Sequence, residues 1–98
     1  MLIVRDVFRC KPGKSRQVAE IFKAALKHIE GTGSVLGGKV MLDLVADFWT
    51  VAIELEVKDL GAYEREMETY ASREEFRKIM AGYMELVTEG RREIYRLV

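Results

Sequence analysis

The sequence predicts an α+β protein of the ferredoxin-like class, a βαββαβ sandwich in which two helices cover one face of a four-stranded antiparallel sheet. Three observations predict this fold. An amphipathic helical pattern follows an N-terminal β-like segment, residues 48–57 alternate strongly, and a long helical region precedes a β-like C-terminus. We expect residues 1–98 to form a single domain, because a chain of this length has no room for a second core.

The N-terminal third is predicted to be a strand followed by a helix. Residues 2–10 are rich in Val, Ile and Phe, and Lys11-Pro12-Gly13 is a turn signal that ends them. From Ser15, the expected N-cap, apolar residues recur at helical spacing. The helix is predicted to end at Gly31, because glycine tolerates the left-handed conformation of a C-terminal cap.

The next two segments predict a hairpin. Residues 35–44 are β-like and are interrupted by Gly37-Gly38, and a short link over 45–47 leads to the clearest strand, 48–57. Side chains alternate between the two faces of a strand. One face is expected to carry Trp49, Val51, Ile53, Leu55 and Val57, and the other Phe48, Thr50, Ala52, Glu54 and Glu56.

The C-terminal part is predicted to be a helical region and a last strand. Asp59 is an expected N-cap, and Ser72 with Glu75 forms a capping-box pattern that predicts a break and a restart of the helix. Gly90 is expected to end the helical region, and residues 91–98 to form the terminal strand.

This arrangement leaves one face of the sheet without helices. A single layer of two helices covers only one face, and the other face of strand 48–57 carries Phe48, Thr50 and Ala52 before it becomes acidic. The alternatives are a solvated antiparallel sheet and an interface. We expect a homodimer through this open sheet face, because the core of so small a domain gains from a partner.

Composition and charge exclude several classes of protein. Sixteen Lys and Arg balance sixteen Asp and Glu, so we expect no nucleic-acid partner and no anionic membrane surface. One cysteine cannot form an intrachain disulfide, and no apolar run approaches the roughly 20 residues of a membrane span. The first ten residues contain an acid and bases, unlike a signal peptide. The expected location is the cytoplasm.

Among the acidic residues, Glu54 is the main candidate for a catalytic or structural role. It lies on the open face of a strand predicted to be central, so a partner subunit would remove it from water. As a catalytic residue it would act as a general base or orient a substrate, with Arg92 as a second catalytic candidate. As a structural residue it would pair with Arg5 or Arg92. The structural reading is preferred.

Aromatic residues supply the candidate ligand contacts. Rings and methionines at helical spacing are usually core, but a pocket beneath the second helix would be lined by the same side chains. Trp49 and Tyr83 are the two aromatic candidates for ligand binding, and Thr50 and Arg5 complete the set.

Cofactor and metal chemistry have little support in the sequence. The only histidine, His28, falls in the last turn of the first helix, where it favours the helix dipole, and no second ligand stands at metal-binding spacing. Cys10 lies between Arg9 and Lys11, which favours a thiolate, although a buried inert cysteine is the commoner case. We expect no metal, haem or other cofactor.

Three motifs carry a resemblance to a known family. They are Lys11-Pro12-Gly13-Lys14 after the first strand, Phe48-Trp49-Thr50-Val51 leading to Glu54, and the closing Arg91-Arg92-Glu93-Ile94-Tyr95. With them the whole chain resembles the dimeric α/β-barrel superfamily, and within it the NIPSNAP-like and antibiotic-biosynthesis-monooxygenase-like proteins. The resemblance implies a homodimer whose two sheets form a barrel, with a pocket inside it or beneath the helices. Members include cofactor-independent oxygenases, haem-handling proteins, isomerases and proteins without an assigned activity.

Two features of the sequence differ from the enzymes of this superfamily. The sequence has no asparagine, whereas oxygenases of this fold place one in the pocket. Its only histidine, His28, is not on the second helix, where a haem ligand would be expected. The expected function is therefore the binding of a small apolar or aromatic molecule between sheet and helices. The alternatives are a cofactor-independent monooxygenase or isomerase and a non-catalytic dimer.

Overall fold

The computed structural model describes all residues from 1 to 98. The elements in chain order are β1 (Leu2–Cys10), α1 (Ser15–Ile29), β2 (Val35–Leu42), β3 (Thr50–Val57), α2 (Leu60–Ser72), α3 (Glu74–Met80), α4 (Tyr83–Leu86) and β4 (Val87–Arg96). No helix is long and apolar enough to cross a membrane.

The four strands form one antiparallel sheet in the order β2-β3-β1-β4. In the two central strands Val4 lies opposite Leu55, and Arg5 lies opposite Glu54. All helices lie on one face of this sheet, so the molecule is a slab with a shortest dimension of 18 Å. The ferredoxin-like α+β fold predicted from the sequence is confirmed.

The core lies between α1 and the sheet. Helix α1 buries one stripe, which meets the helix-facing positions of the central strands. The buried hydrophobic residues are Val4, Cys10, Val18, Ala19, Phe22, Ala25, Leu26, Ile29, Val35, Val51, Leu55, Val57 and Tyr63. Only Tyr63 in this set comes from α2, α3 or α4, so the second helical region packs more loosely than the first.

The caps of the helices agree in part with the sequence-based predictions. Asp59 caps α2 as predicted, with its carboxylate accepting a hydrogen bond from the Ala62 backbone N–H at 2.8 Å. Gly31 follows the end of α1 with a positive φ of 72°. The prediction for Ser15 is wrong: Ser15 is the first residue of α1, and Lys14 precedes it without a side-chain cap.

The second helical region is divided into three short helices. The predicted break after Ser72 is confirmed, because Arg73 is extended there with a ψ of 132°. The capping box is not formed, since the Ser72 hydroxyl donates back to the carbonyl oxygen of Thr69 at 2.6 Å. A second break follows at Gly82, whose φ is 82°.

Gly90 does not end the helical region, which stops at Leu86, and it lies inside β4 instead. It is paired with Phe8 of β1, and a Cβ atom at this position would come within 2.8 Å of the Phe8 ring. Glycine is needed here because the phenylalanine ring lies over the backbone of β4. The close approach is between residues distant in sequence, so no local pattern reveals it.

The connection between β2 and β3 is longer than predicted. The strands stop at Leu42 and restart at Thr50, so residues 43–49 form a loop, called the β2–β3 loop below. Trp49 has a φ of 65°, in the left-handed region, and therefore leaves the alternation predicted for it. Its carbonyl oxygen accepts a hydrogen bond from the Cys10 backbone N–H at 2.8 Å.

Candidate functional site

A cavity of about 630 Å³ lies between the helix-covered face of the sheet and the second helical region. Thirteen of its 17 lining residues are hydrophobic, and its volume is typical of sites that bind small molecules. The lining residues are Asp6, Phe8, Phe22, Ala25, Leu26, Ile29, Ile53, Leu55, Tyr63, Glu64, Met67, Glu68, Ala71, Phe76, Met80, Tyr83 and Arg92.

The position of α2 explains why this space is open. The Glu66 side chain on α2 accepts hydrogen bonds from the backbone N–H and the hydroxyl of Ser34, at 3.0 and 2.6 Å. Farther along α2, the Tyr70 hydroxyl lies 2.7 Å from the Thr32 hydroxyl. Helix α2 is therefore attached to the loop before β2 by polar contacts, while its face of Tyr63, Met67 and Ala71 lines the cavity.

One wall of the cavity is an aromatic cluster. The rings of Phe8 and Phe22 are 5.1 Å apart, and the Tyr83 ring lies 5.3 Å from Phe22 and 6.2 Å from Phe8. Tyr83 meets both phenylalanines edge to face, an arrangement that the ring quadrupoles favour. Tyr83, predicted as a ligand contact, is thus placed in the cavity wall.

The polar part of the cavity is an ion pair across β1 and β4. The Arg92 Nε and Nη2 atoms donate to the two oxygens of Asp6, at 2.7 and 2.9 Å. Only 19% of the Asp6 side chain is exposed. These hydrogen bonds raise the pKa of Arg92 well above its usual value, so the guanidinium stays charged at every physiological pH.

Tyr63 lies beside this pair. It is 3% exposed, and the Arg92 guanidinium carbon is 5.9 Å from the centre of its ring. Burial raises the pKa of Tyr63, and this effect outweighs the opposing influence of Arg92. The phenol is therefore a neutral hydroxyl at neutral pH, on a residue that lines the cavity.

Glu54 lies on the opposite face of the sheet, where it is held by two cations. Its Oε2 accepts hydrogen bonds from the Arg5 Nε and Nη2 at 2.9 and 2.7 Å, and its Oε1 is 3.7 Å from the Lys39 Nζ. Arg5 is thus its partner, one of the two expected. The pairing with Arg92 is wrong, because Arg92 lies opposite Asp6 and faces the helices.

The sheet divides the residues that the sequence singled out. Tyr83 and Arg92 line the cavity, whereas Arg5 and Glu54 lie on the open face. Thr50 is also on that face, and its hydroxyl donates to the Asp47 carbonyl at 2.6 Å. Trp49 lies in the β2–β3 loop and does not line the cavity. A single pocket that joins Trp49, Tyr83 and Glu54 is therefore not formed.

Asp6 and Tyr63 are cavity residues that sequence reasoning missed. Asp6 carried a signal, since it interrupts an alternating apolar set of Leu2, Val4, Phe8 and Cys10 on one face of β1. A carboxylate on a buried face requires a partner. The sequence contains no comparable signal for Tyr63, because a tyrosine on an apolar helix stripe cannot be distinguished from a core residue.

The two remaining candidates have structural surroundings. Cys10 is 3% exposed, and burial raises the pKa of its thiol, so the neighbouring cations do not produce a thiolate. The His28 Nε2 lies 3.9 Å from the Glu75 Oε1 on α3. No group of three or more His, Cys, Asp and Glu side chains is arranged to hold a metal ion.

The strand order, the single helix-covered face and the cavity beneath it define a ferredoxin-like α+β sandwich of the type found in NIPSNAP and antibiotic biosynthesis monooxygenase structures. An uncharacterized NIPSNAP domain protein from Burkholderia xenovorans is 13% identical and superposes with a TM-score of 0.80, over 100% of this chain and 95% of the other. A NIPSNAP family protein from Agrobacterium tumefaciens is 12% identical, with a TM-score of 0.81 over 99% of this chain and 85% of the other.

An antibiotic biosynthesis monooxygenase is 16% identical and superposes with a TM-score of 0.74, over 100% of this chain and 99% of the other. No protein-family model matches the sequence, and no curated protein is significantly similar to it. At these identities the likeness establishes a shared fold.

Proposed function

We propose that this protein is a homodimer that binds a small apolar or aromatic molecule in the cavity between the sheet and α2, α3 and α4. The cavity carries the proposal: it is about 630 Å³ of mainly apolar space, and its polar groups include Tyr63 and the Asp6–Arg92 pair. An apolar space with a few convergent polar groups is what small-molecule sites have in common.

The open face of the sheet supports the homodimer. Beside the ion pairs it presents apolar side chains on all four strands, namely Ile3, Val7, Met41, Ala52 and Tyr95. The β2–β3 loop adds exposed apolar residues, with Leu44 98%, Val45 97% and Phe48 79% exposed. Ala46 and Asp47 of this loop border a depression on the open face. A second copy would cover these surfaces together.

Analytical ultracentrifugation should show a dimer at micromolar concentration. Sheet-to-sheet pairings of this kind usually bury upwards of about 2,000 Å², which gives stable association. A single species at the monomer mass of 11.3 kDa across that range would contradict the homodimer without touching the cavity.

Ligand binding is tested by filling the cavity from its rim. The Ala71→Phe substitution, on the cavity-lining face of α2, should weaken binding of the uncharged fluorescent probe N-phenyl-1-naphthylamine about tenfold or more, because a ring would occupy the ligand space. Ala81→Phe is the matched control, since Ala81 is exposed between α3 and α4 and does not line the cavity. Equal affinity in the wild type and both variants would contradict the cavity as the site.

Catalysis is the second candidate, and the convergence of acid and base groups favours it. Both oxygens of Asp6 accept hydrogen bonds from Arg92, and Tyr63 is a neutral hydroxyl beside this pair. A carboxylate base and a phenol donor in one cavity are the groups that a cofactor-independent isomerase or oxygenase uses. Turnover of a bound ligand that is lost in the Asp6→Asn variant would favour this function over binding alone.

A further inference from the structure

The charged groups of the cavity are strongly unbalanced. They are Asp6, Glu64, Glu68 and Arg92, which makes three carboxylates and one guanidinium. Glu64 and Glu68 are exposed and lie one helical turn apart on α2, beside the cavity-lining residues Tyr63 and Met67. The rim that an entering molecule passes is therefore acidic.

The single cation is not free for an anionic ligand. Two of the Arg92 nitrogens already donate to both oxygens of Asp6. A ligand carboxylate could form a two-point pair with Arg92 only by displacing Asp6, whose side chain is only 19% exposed, and on the remaining Nη1 it would lie beside the Asp6 charge. Removal of one member of such a pair is strongly unfavourable.

Hydrogen-bond donors nevertheless remain in the cavity. A guanidinium has five N–H donors, and the Nη1 atom of Arg92 takes no part in the pair with Asp6. Tyr63, whose ring centre lies 5.9 Å from the Arg92 guanidinium carbon, adds a neutral hydroxyl. These two groups can satisfy one uncharged oxygen, such as that of a ketone, without disturbing the ion pair.

We propose that the cavity selects uncharged apolar molecules carrying one hydrogen-bond acceptor and excludes anionic ones, with Glu64 and Glu68 as the excluding residues and Tyr63 and Arg92 as the donors. This inference rests on the proposed function, because it concerns the ligand class of the same cavity.

Two probes with a common skeleton test the exclusion of anions. N-phenyl-1-naphthylamine is uncharged, and 1-anilinonaphthalene-8-sulfonate has the same rings with one sulfonate. In fluorescence titrations at low salt, the wild-type protein should bind the uncharged probe about tenfold or more tightly than the sulfonate. The Ala71→Phe variant is titrated in parallel. Only the probe binding that this variant loses is assigned to the cavity, and the rest is treated as adsorption elsewhere on the protein.

The double substitution Glu64→Gln/Glu68→Gln should strengthen binding of the sulfonate about fivefold and leave the affinity for the uncharged probe unchanged. Glu20→Gln/Glu74→Gln is the matched control, because it removes the same charge from two exposed positions that do not line the cavity. Equal wild-type affinities for both probes, or the same gain in the control, would overturn the inference and leave the proposed function standing. Binding of neither probe would overturn both.

The donor groups are tested with a probe that carries a ketone. Tyr63→Phe should weaken binding of 6-propionyl-2-dimethylaminonaphthalene about threefold to tenfold, the loss of one hydrogen bond, while N-phenyl-1-naphthylamine keeps its affinity. The second probe controls for the fold of the variant. An equal loss for both probes, or no loss for the ketone, would contradict the role given to Tyr63.

Discussion

Replacing Phe22 by alanine is expected to lower the free energy of unfolding by about 3–5 kcal/mol. Phe22 is 4% exposed, and its ring contacts the rings of both Phe8 and Tyr83. The substitution removes the centre of the aromatic cluster and enlarges the neighbouring cavity. The surrounding side chains can fill this space only in part. For a domain with about 5–15 kcal/mol of total stability, the loss is a large fraction.

Urea denaturation followed by far-ultraviolet circular dichroism measures this effect, with wild type and variant at equal concentration because a dimer's apparent stability depends on it. Met84→Ala is the control: Met84 is 70% exposed on α4, and its truncation should change stability by less than about 0.5 kcal/mol. A Phe22→Ala loss as small as the control would show that the aromatic cluster does not hold α4 against α1.

Replacing Glu54 by glutamine should weaken the proposed dimer about tenfold and lower its melting temperature. The change is nearly isosteric, so it removes the charge that Arg5 and Lys39 contact while it keeps the shape of the sheet surface. In the dimer these cations would be covered by the partner and would lack their carboxylate. Glu93 lies 4.0 Å from Arg5 and can compensate only in part.

Sedimentation equilibrium and thermal denaturation of Glu54→Gln decide between the structural and the catalytic role. Glu56→Gln is the control, because Glu56 is on the same face of β3 and takes part in no ion pair within 4.0 Å. A Glu54→Gln protein with unchanged dimerisation and melting temperature would count against the structural role. It would move Glu54 to the head of the catalytic candidates on the open face.

The elements that local periodicity governs were predictable from the sequence. β1, α1 and most of β3 follow the spacing of their apolar residues, and the strand order follows from the predicted element sequence. The alternation misled at one point, because Phe48 and Trp49 continue the pattern of β3. The left-handed backbone at Trp49 breaks it for reasons that side-chain polarity does not encode.

The site was less predictable because its parts meet through long-range pairing. Asp6 and Arg92 are separated by 86 positions, and their contact depends on the register between β1 and β4. The sequence allows Arg92 as a partner of Glu54, since nothing local shows which face of the sheet Arg92 occupies. The prediction for Gly90 is wrong for the same reason, because the role of this residue depends on Phe8 in a distant strand.

Strand β1 supplies the proposed binding site and the proposed dimer face from alternate residues. Asp6 and Phe8 face the cavity, and Arg5 and Val7 face the open side. Point substitutions on one side leave the other side's chemistry in place, so ligand preference and subunit affinity can diverge independently among descendants of this chain. An insertion or deletion of one residue in β1 would instead exchange the two sets of side chains. Ligand binding and dimerisation would then be lost together. We therefore expect related proteins to vary in the residues of β1 but to keep the length of this strand.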